Sequence, residues 1–435
     1  MKIILKLTSL TLAVLICFSA FVSASAQVTD IKTPVSASET SLKWSVKLGK
    51  GYIDAPSIPA VSDGNVYVMS RSTLYKINSE NGETVSSAVM TDGPSYSYTP
   101  VLVENEKIFC PLENGTIQAF EADTMQPLWI YKDSLGGQSL TPIVYYSGYI
   151  YTGFWNDEEA DANFVCINAK TGELKWSYTH LGGFYWSECC INGNYVVVGG
   201  DNGKGDDNSA GHLHCFDRLT GMLTDTADII GDQRSGIACY NNSLYFVTKA
   251  GYLYKTSVSS SGEFTDIRSS KLSGASTSTP TVYNDRIYIG IQSKGFNGNI
   301  NIIDAETLGL IYNVPMNGYP QSEILLSNAY ENKSGKVYIY STYNAAPGGI
   351  TVITDSVGQT QPVCEQLFIP SDDAQSYCIS PVCVGNDGTL YYKNDSGTVF
   401  AVEANTDEPP SSKNIMDYIL EFFTAIINII TSLFR

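Results

Sequence analysis

Apolar and polar residues alternate through most of this chain in runs of about five to eight, and short polar turns break the runs. One unit recurs eight times: a short apolar strand, a two- or three-residue polar turn, and a second strand with an aromatic near its start. The turns lie at 63–65, 105–107, 147–148, 192–194, 241–243, 284–286, 334–336 and 386–388. The aromatics that follow are Tyr67, Phe109, Tyr151, Tyr195, Tyr245, Tyr288, Tyr338 and Tyr391. Asn, Asp and Gly between alternating runs are the signature of a β-hairpin, because they tolerate the left-handed backbone that a tight turn needs. A third strand follows, often opened by Gly, as at 115–120, 251–254, 298–303 and 397–402. A turn and a fourth strand complete the unit, most clearly at 168–176, where Trp176 has counterparts in Trp129 and Tyr312.

Four strands repeating every 42 to 53 residues, measured between those aromatics, is the period of a propeller blade. The pattern predicts an all-β chain: an eight-bladed β-propeller of four-stranded antiparallel blades over residues 40–405. The eighth unit stops after its third strand, at Val402, while the run Ser41 to Val46 matches the fourth strand at 174–178. The N-terminal strand is therefore expected to pair beside 397–403 and close the ring. Residues 27–39 and 406–414 read as linkers, the second marked by Pro409 and Pro410. Residues 415–435 read as an apolar helix with one narrow polar stripe: Asp417, Glu421, Thr424, Asn428, Thr431 and Arg435. So apolar a surface predicts contact with a membrane or with partner helices.

The first 26 residues carry Lys2 and Lys6, an apolar stretch at 10–22 and Ala24-Ser25-Ala26, the layout of a cleavable signal peptide. Cys17 follows the bulky Ile16, so lipid attachment there is not expected. The chain is thus expected to be exported to the cell surface, the envelope or the medium. Its formal charge of −18, which loss of Lys2 and Lys6 would deepen by two, repels nucleic acid, and no nucleic-acid partner is expected. Charged residues make up only 16% against 43% hydrophobic, so the acidity belongs to a packed protein and not to a disordered tail. Nine cysteines follow the signal, an odd number without metal-site spacing. Export permits disulfides, but spacing alone assigns no pairs, and buried single thiols are the simpler reading.

The stretch Asn168-Ala169-Lys170-Thr171-Gly172 followed by Trp176 resembles the repeat of pyrroloquinoline-quinone-type propellers. Residues 121–124 with Trp129, and 304–307, match it in part. That family includes quinoprotein alcohol dehydrogenases and the outer-membrane assembly lipoprotein, and the resemblance covers about residues 40 to 405. It implies the propeller fold; its residues tie blades together and name no ligand. For the dehydrogenases it implies a quinone on the ring axis, calcium held by acidic and amide side chains, a catalytic Asp and a vicinal disulfide. Cys189-Cys190 is the only adjacent cysteine pair, on the expected inner strand of blade 4. Neighbours in a strand point to opposite faces, so joining them would break the strand. No cofactor-floor Trp and no Glu/Asn/Asp calcium set can be matched around it. The chain is accordingly read as a non-catalytic protein- or glycan-binding scaffold, closer to the assembly type, with no bound quinone. A quinone-dependent dehydrogenase of unusual form is the alternative.

No other constellation suggests catalysis. His212 and His214 flank Leu213 on one face of a strand and read as half-exposed, without a third metal ligand in view. Acidic loops at 156–161 and 201–207 fall between second and third strands of blades 3 and 4, on the face that also receives the blade-to-blade connections. Asp201, Asp206 and Asp207 are candidate calcium ligands there, although the loop lacks the full EF-hand spacing and a solvated acidic rim is the simpler reading. The connections on this face are rich in aromatics. Tyr96, Tyr98, Phe184, Tyr185, Trp186 and Tyr319 are candidates for binding a protein or carbohydrate, or else for filling crevices between blades. Glu188 and Glu323 hold matched positions just before inner strands and are candidates to line the channel mouth.

Overall fold

The computed structural model describes residues 28–94, 99–202, 210–295 and 297–405. Their strands form eight sheets, seven of four strands and one of five, each antiparallel apart from one added edge strand. Blade 1 runs from Ala60–Ser62 to Thr84–Val89, blade 2 from Leu102–Glu104 to Pro127–Lys132, and blade 3 from Val144–Tyr146 to Leu174–Leu181. Blade 4 runs from Cys190–Asn192 to Leu223–Ile230, blade 5 from Ala238–Tyr240 to Phe264–Lys271, and blade 6 from Thr281–Tyr283 to Leu310–Met316. Blade 7 spans Leu325–Ser327 to Val363–Phe368. Blade 8 combines Cys383–Val384, Leu390–Asn394 and Thr398–Ala404 with the N-terminal strand Thr40–Lys47. That strand pairs antiparallel with Thr398–Ala404, Ser45 opposite Phe400, as the truncated eighth repeat predicts.

Each hydrophobic core sits between two blades. Eight buried clusters bridge successive neighbours around the ring, the last joining blade 8 to blade 1 through Trp44, Val66, Val68 and Tyr391. Alternation produces this arrangement, because a strand with apolar residues on both faces can be buried only between two sheets. The tryptophans of the repeat act at these junctions. Trp44, Trp129 and Trp176 donate their indole N–H to backbone oxygens of Ser79, Ala169 and Arg218 in the following blade, at 2.8, 3.2 and 3.0 Å. Their ring faces lie against Gly82, Gly172 and Gly221, where an added Cβ would come within 3 Å of the indole. The glycine in Thr-Gly is required twice over: for that contact and for a positive φ, 76° at Gly172.

The segment read as an N-terminal linker does more than link. Val28–Thr29 pairs parallel with the inner strand of blade 7, Val28 opposite Leu326, and so adds a fifth strand on the axis. The chain then crosses blade 7 toward its rim. Tyr340 donates to the backbone oxygen of Pro34, Tyr330 to that of Thr33, and Glu365 accepts from the Ala37 amide. It next turns into the closing strand. Tyr96, Tyr98, Asp206, Asp207 and the expected tail helix at 415–435 lie outside the described residues, as does the expected signal peptide. Among the described residues no helix is long and apolar enough to cross a membrane.

Candidate functional site

In every blade the loop from the second to the third strand and the connection to the next blade emerge on one face. The mouth of the axial channel on that face is where chemistry concentrates. Beneath it lies a cavity of about 570 Å³ to which all eight blades contribute. Its wall is asymmetric. Blades 4 to 7 present polar groups, among them Glu188, Arg234, Thr279 and Glu323, whereas blades 1 to 3 and 8 present mainly aliphatic ones such as Val61, Val101, Ile143 and Val384. Val28 and Thr29 of the added strand also face it. A second depression of about 320 Å³ opens beside it on the loop face, lined by Tyr185, Trp186, Tyr319 and Lys249, with Arg234 shared between the two.

Arg234 organises the mouth. It lies in the connection from blade 4 to blade 5 and reaches three carboxylates: Asp201 at 2.6 Å, Glu158 at 3.1 Å and Asp232 at 3.4 Å. The Tyr185 ring covers its guanidinium at 4.6 Å. One guanidinium thus joins the loops of blades 3 and 4 to the following connection. Three carboxyls gather on this guanidinium, and Asp201 is fully buried. Burial pushes the Asp201 carboxyl up to about 8 against the pull of Arg234, with repulsion from Asp232 and Glu158 in the same direction. These three acids are the only described group whose ligand atoms gather closely enough for a metal, within 4.8 Å of one another. Asp201 is therefore an internal hydrogen-bond partner of Arg234 and not part of a solvated rim.

The aromatic candidates separate. Phe184 does not reach the loop surface: it is fully buried against Phe164 at 5.4 Å, in the core between blades 3 and 4. Tyr185 packs edge-on against Trp155 at 5.0 Å while covering Arg234. Trp186 lines both cavities and holds φ at 56°, a left-handed conformation that costs a non-glycine residue about 1 kcal/mol. Tyr319 is 8% exposed and accepts from the Thr277 amide at 2.9 Å. Tyr185, Trp186 and Tyr319 therefore meet around one depression. Glu188 and Glu323 both face the axial cavity, as their matched positions predict. Glu188 is 8% exposed, makes no side-chain hydrogen bond, and burial alone pushes its carboxyl up to about 8.

Arg234 escaped the sequence reading, because an arginine in a polar loop carries no periodic signal. Of the two strand histidines, His212 is half-exposed as expected and His214 is not. His214 is buried, and the three histidine rings of the chain cluster at centroid distances of 4.8, 5.5 and 5.9 Å across blades 3 and 4. Burial pushes His214 down to about 3, so it stays neutral, and its Nε2 has no hydrogen-bond partner.

A quinone would need the vicinal thiols over the axis and cations for its acidic groups. Cys189 belongs to the core between blades 3 and 4, and Cys190 to the core between blades 4 and 5. Both are buried, Cys189 just before the inner strand of blade 4 and Cys190 at its start, on either side of that blade, and Cys190 makes a thiol–thiol contact with Cys239 of blade 5. The cavity itself presents two carboxyls and one arginine already engaged with three more. The residues on the axis do not fit that cofactor.

A family model described as outer membrane protein assembly factor BamB matches residues 33–265. The sequence matches no curated protein. Among solved structures, BamB from Moraxella catarrhalis is similar at a TM-score of 0.59 and 13% identity, over 84% of this chain and 99% of that one. Quinohemoprotein alcohol dehydrogenase from Comamonas testosteroni is similar at 0.63 and 12%, over 87% and 79%. A europium-containing methanol dehydrogenase follows at 0.62 and 10%, over 86% and 96%. Identities this low carry the fold alone, and the fold is shared by assembly factors and enzymes alike.

Proposed function

Since this chain belongs to the family of the outer membrane protein assembly factor BamB, we propose that it acts as a non-catalytic scaffold at the cell envelope, binding a polypeptide partner on its loop face. The observation that carries this reading is the meeting of Tyr185, Trp186 and Tyr319 around a single depression at the channel mouth. Rigid aromatics on a stiff frame bury large area at little entropic cost, which is how binding faces gain affinity. The strained Trp186 supports the same reading, since its half-buried indole lines the mouth despite the backbone cost. A glycan would also stack on such rings, but the acidic hub and the aliphatic half of the axial wall favour a polypeptide.

The test is site-specific photocrosslinking in the envelope. A photoreactive residue at the exposed Tyr377, in the connection from blade 7 to blade 8, should capture a discrete polypeptide. The same residue at Asp63, in a hairpin turn of the opposite face, should not. The Tyr185→Ala, Tyr319→Ala double variant should lose the Tyr377 adduct. Equal adducts from both faces would refute the assignment. The dehydrogenase reading predicts instead that the protein retains pyrroloquinoline quinone and calcium through gel filtration and reduces dye in the presence of an alcohol. We expect neither, and stoichiometric retention would reverse the choice.

A further inference from the structure

Glu188 presents an unusual problem for a buried group. Its carboxyl faces the axial cavity, makes no hydrogen bond, and has no cation close enough to pull it down. Arg234 lines the same cavity but is committed to Glu158, Asp201 and Asp232. A second carboxyl, Glu323, lies on the same polar half of the wall, and the opposite half is aliphatic. An anionic occupant would bury its charge beside these acids. A neutral apolar occupant would leave Glu188 desolvated and unpaired, at a cost in free energy. A cation attached to an aliphatic stem satisfies both halves of the wall at once.

The channel also takes extended backbone. Val28–Thr29 occupies the inner edge of blade 7 in parallel pairing and faces the cavity, whereas the inner strands of the other seven blades have no such added strand among the described residues. We propose that the axial cavity is a binding site for an aliphatic ammonium group, the lysine side chain of a polypeptide segment inserted at the channel mouth, with Glu188 as its counter-charge. This rests on the scaffold reading above and names the chemistry that the scaffold recognises. Binding converts Glu188 from carboxylic acid to carboxylate, and the proton leaves to solvent. The other titratable groups facing this cavity are Glu323, Arg234 and Cys383, with the Cys189 thiol next to Glu188 in sequence.

The experiment is titration calorimetry of the full chain at pH 7 with three probes: an acetylated, amidated apolar heptapeptide with a central lysine, the same peptide with norleucine, and n-hexylamine. The lysine peptide should bind about 10- to 100-fold more tightly than the norleucine peptide, the range for a hydrogen bond to a charged group. Runs in buffers of different ionisation enthalpy should show release of about 0.9 proton per peptide bound, because a carboxyl titrating near 8 is mostly protonated at pH 7. Glu188→Gln should abolish both the preference and the proton release while melting no lower than wild type. Hexylamine binding as tightly as the peptide, with the same dependence on Glu188, would support the ammonium site but assign it to a free amine. No binding by lysine peptide or amine, or equal affinity for lysine and norleucine peptides, overturns the proposal. If the Tyr377 crosslink persists in that case, the scaffold reading survives; if it is also absent, both fail.

Discussion

Replacing Glu188 with glutamine should stabilise this protein, by an amount that grows with pH. A carboxyl normally titrates near 4.5, and burial beside the axial cavity raises Glu188 to about 8. Because the folded-state value is the higher one, the unfolded chain releases this proton first as pH rises. Stability contributed by the protonated group is fully present below 4.5 and is lost as pH climbs through about 8. Each pH unit in that window removes about 1.4 kcal/mol, so the wild type forgoes about 3 kcal/mol at pH 7 and about 5 kcal/mol above pH 8. Glutamine has nearly the same shape and no charge to desolvate. The variant should match the wild type near pH 4.5 and exceed it by those amounts at pH 7 and pH 8.5. Guanidinium unfolding at the three pH values, read by tryptophan fluorescence, gives the difference directly. A difference that does not change with pH would show that Glu188 titrates normally, and a loss of stability at pH 8.5 would show that the carboxylate is paired.

Three further outcomes follow from the same contacts. Arg234→Met should destabilise the protein by about 1–3 kcal/mol in denaturant melts, since the buried Asp201 carboxyl loses its guanidinium partner; adding Asp201→Leu should recover most of that loss. Trp44→Ala should cost about 3–5 kcal/mol, because it removes a buried indole and its bond to Ser79 at the seam that closes the ring. An unchanged melting curve would mean that the N-terminal strand is not the clasp. Removing residues 408–435 should abolish flotation of the purified protein with liposomes, or else convert an oligomer to a monomer. Identical lipid-free monomers with and without that segment would refute the role assigned to the apolar stripe.

The blade count and the closing strand were legible because each is a local pattern. A hairpin needs only a turn former between alternating runs, and a fourth strand missing after Val402 has its match at 41–46. The separation of Cys189 and Cys190 was also legible, although only Cys190 lies in the inner strand: the two thiols enter the cores on either side of blade 4. Half of the site was legible too. Glu188 and Glu323 stood out by their matched places, and both face the cavity. Phe184 was left open between binding and crevice filling because a loop aromatic reads alike whether it faces solvent or the next blade, and the packing of blade 3 on blade 4 decides for the crevice. The strand at 28–29 is two residues long, too short for any periodicity to show.

Period-2 alternation by itself determined the strands, their grouping into blades and the ring that those blades must close, because these depend on residues close in sequence or on one terminus completing the other. Only the tertiary structure decided what meets at the axis. Closure brings Glu158, Asp201, Asp232 and Arg234 together from loops of blades 3 and 4 and the connection that follows. It also sets a polar arc of blades 4 to 7 opposite an aliphatic one. Each of these residues looks like an ordinary loop or strand-end residue in its own segment. Their chemistry arises from the angle at which neighbouring sheets pack, which turns side chains far apart in sequence toward one low-dielectric cavity.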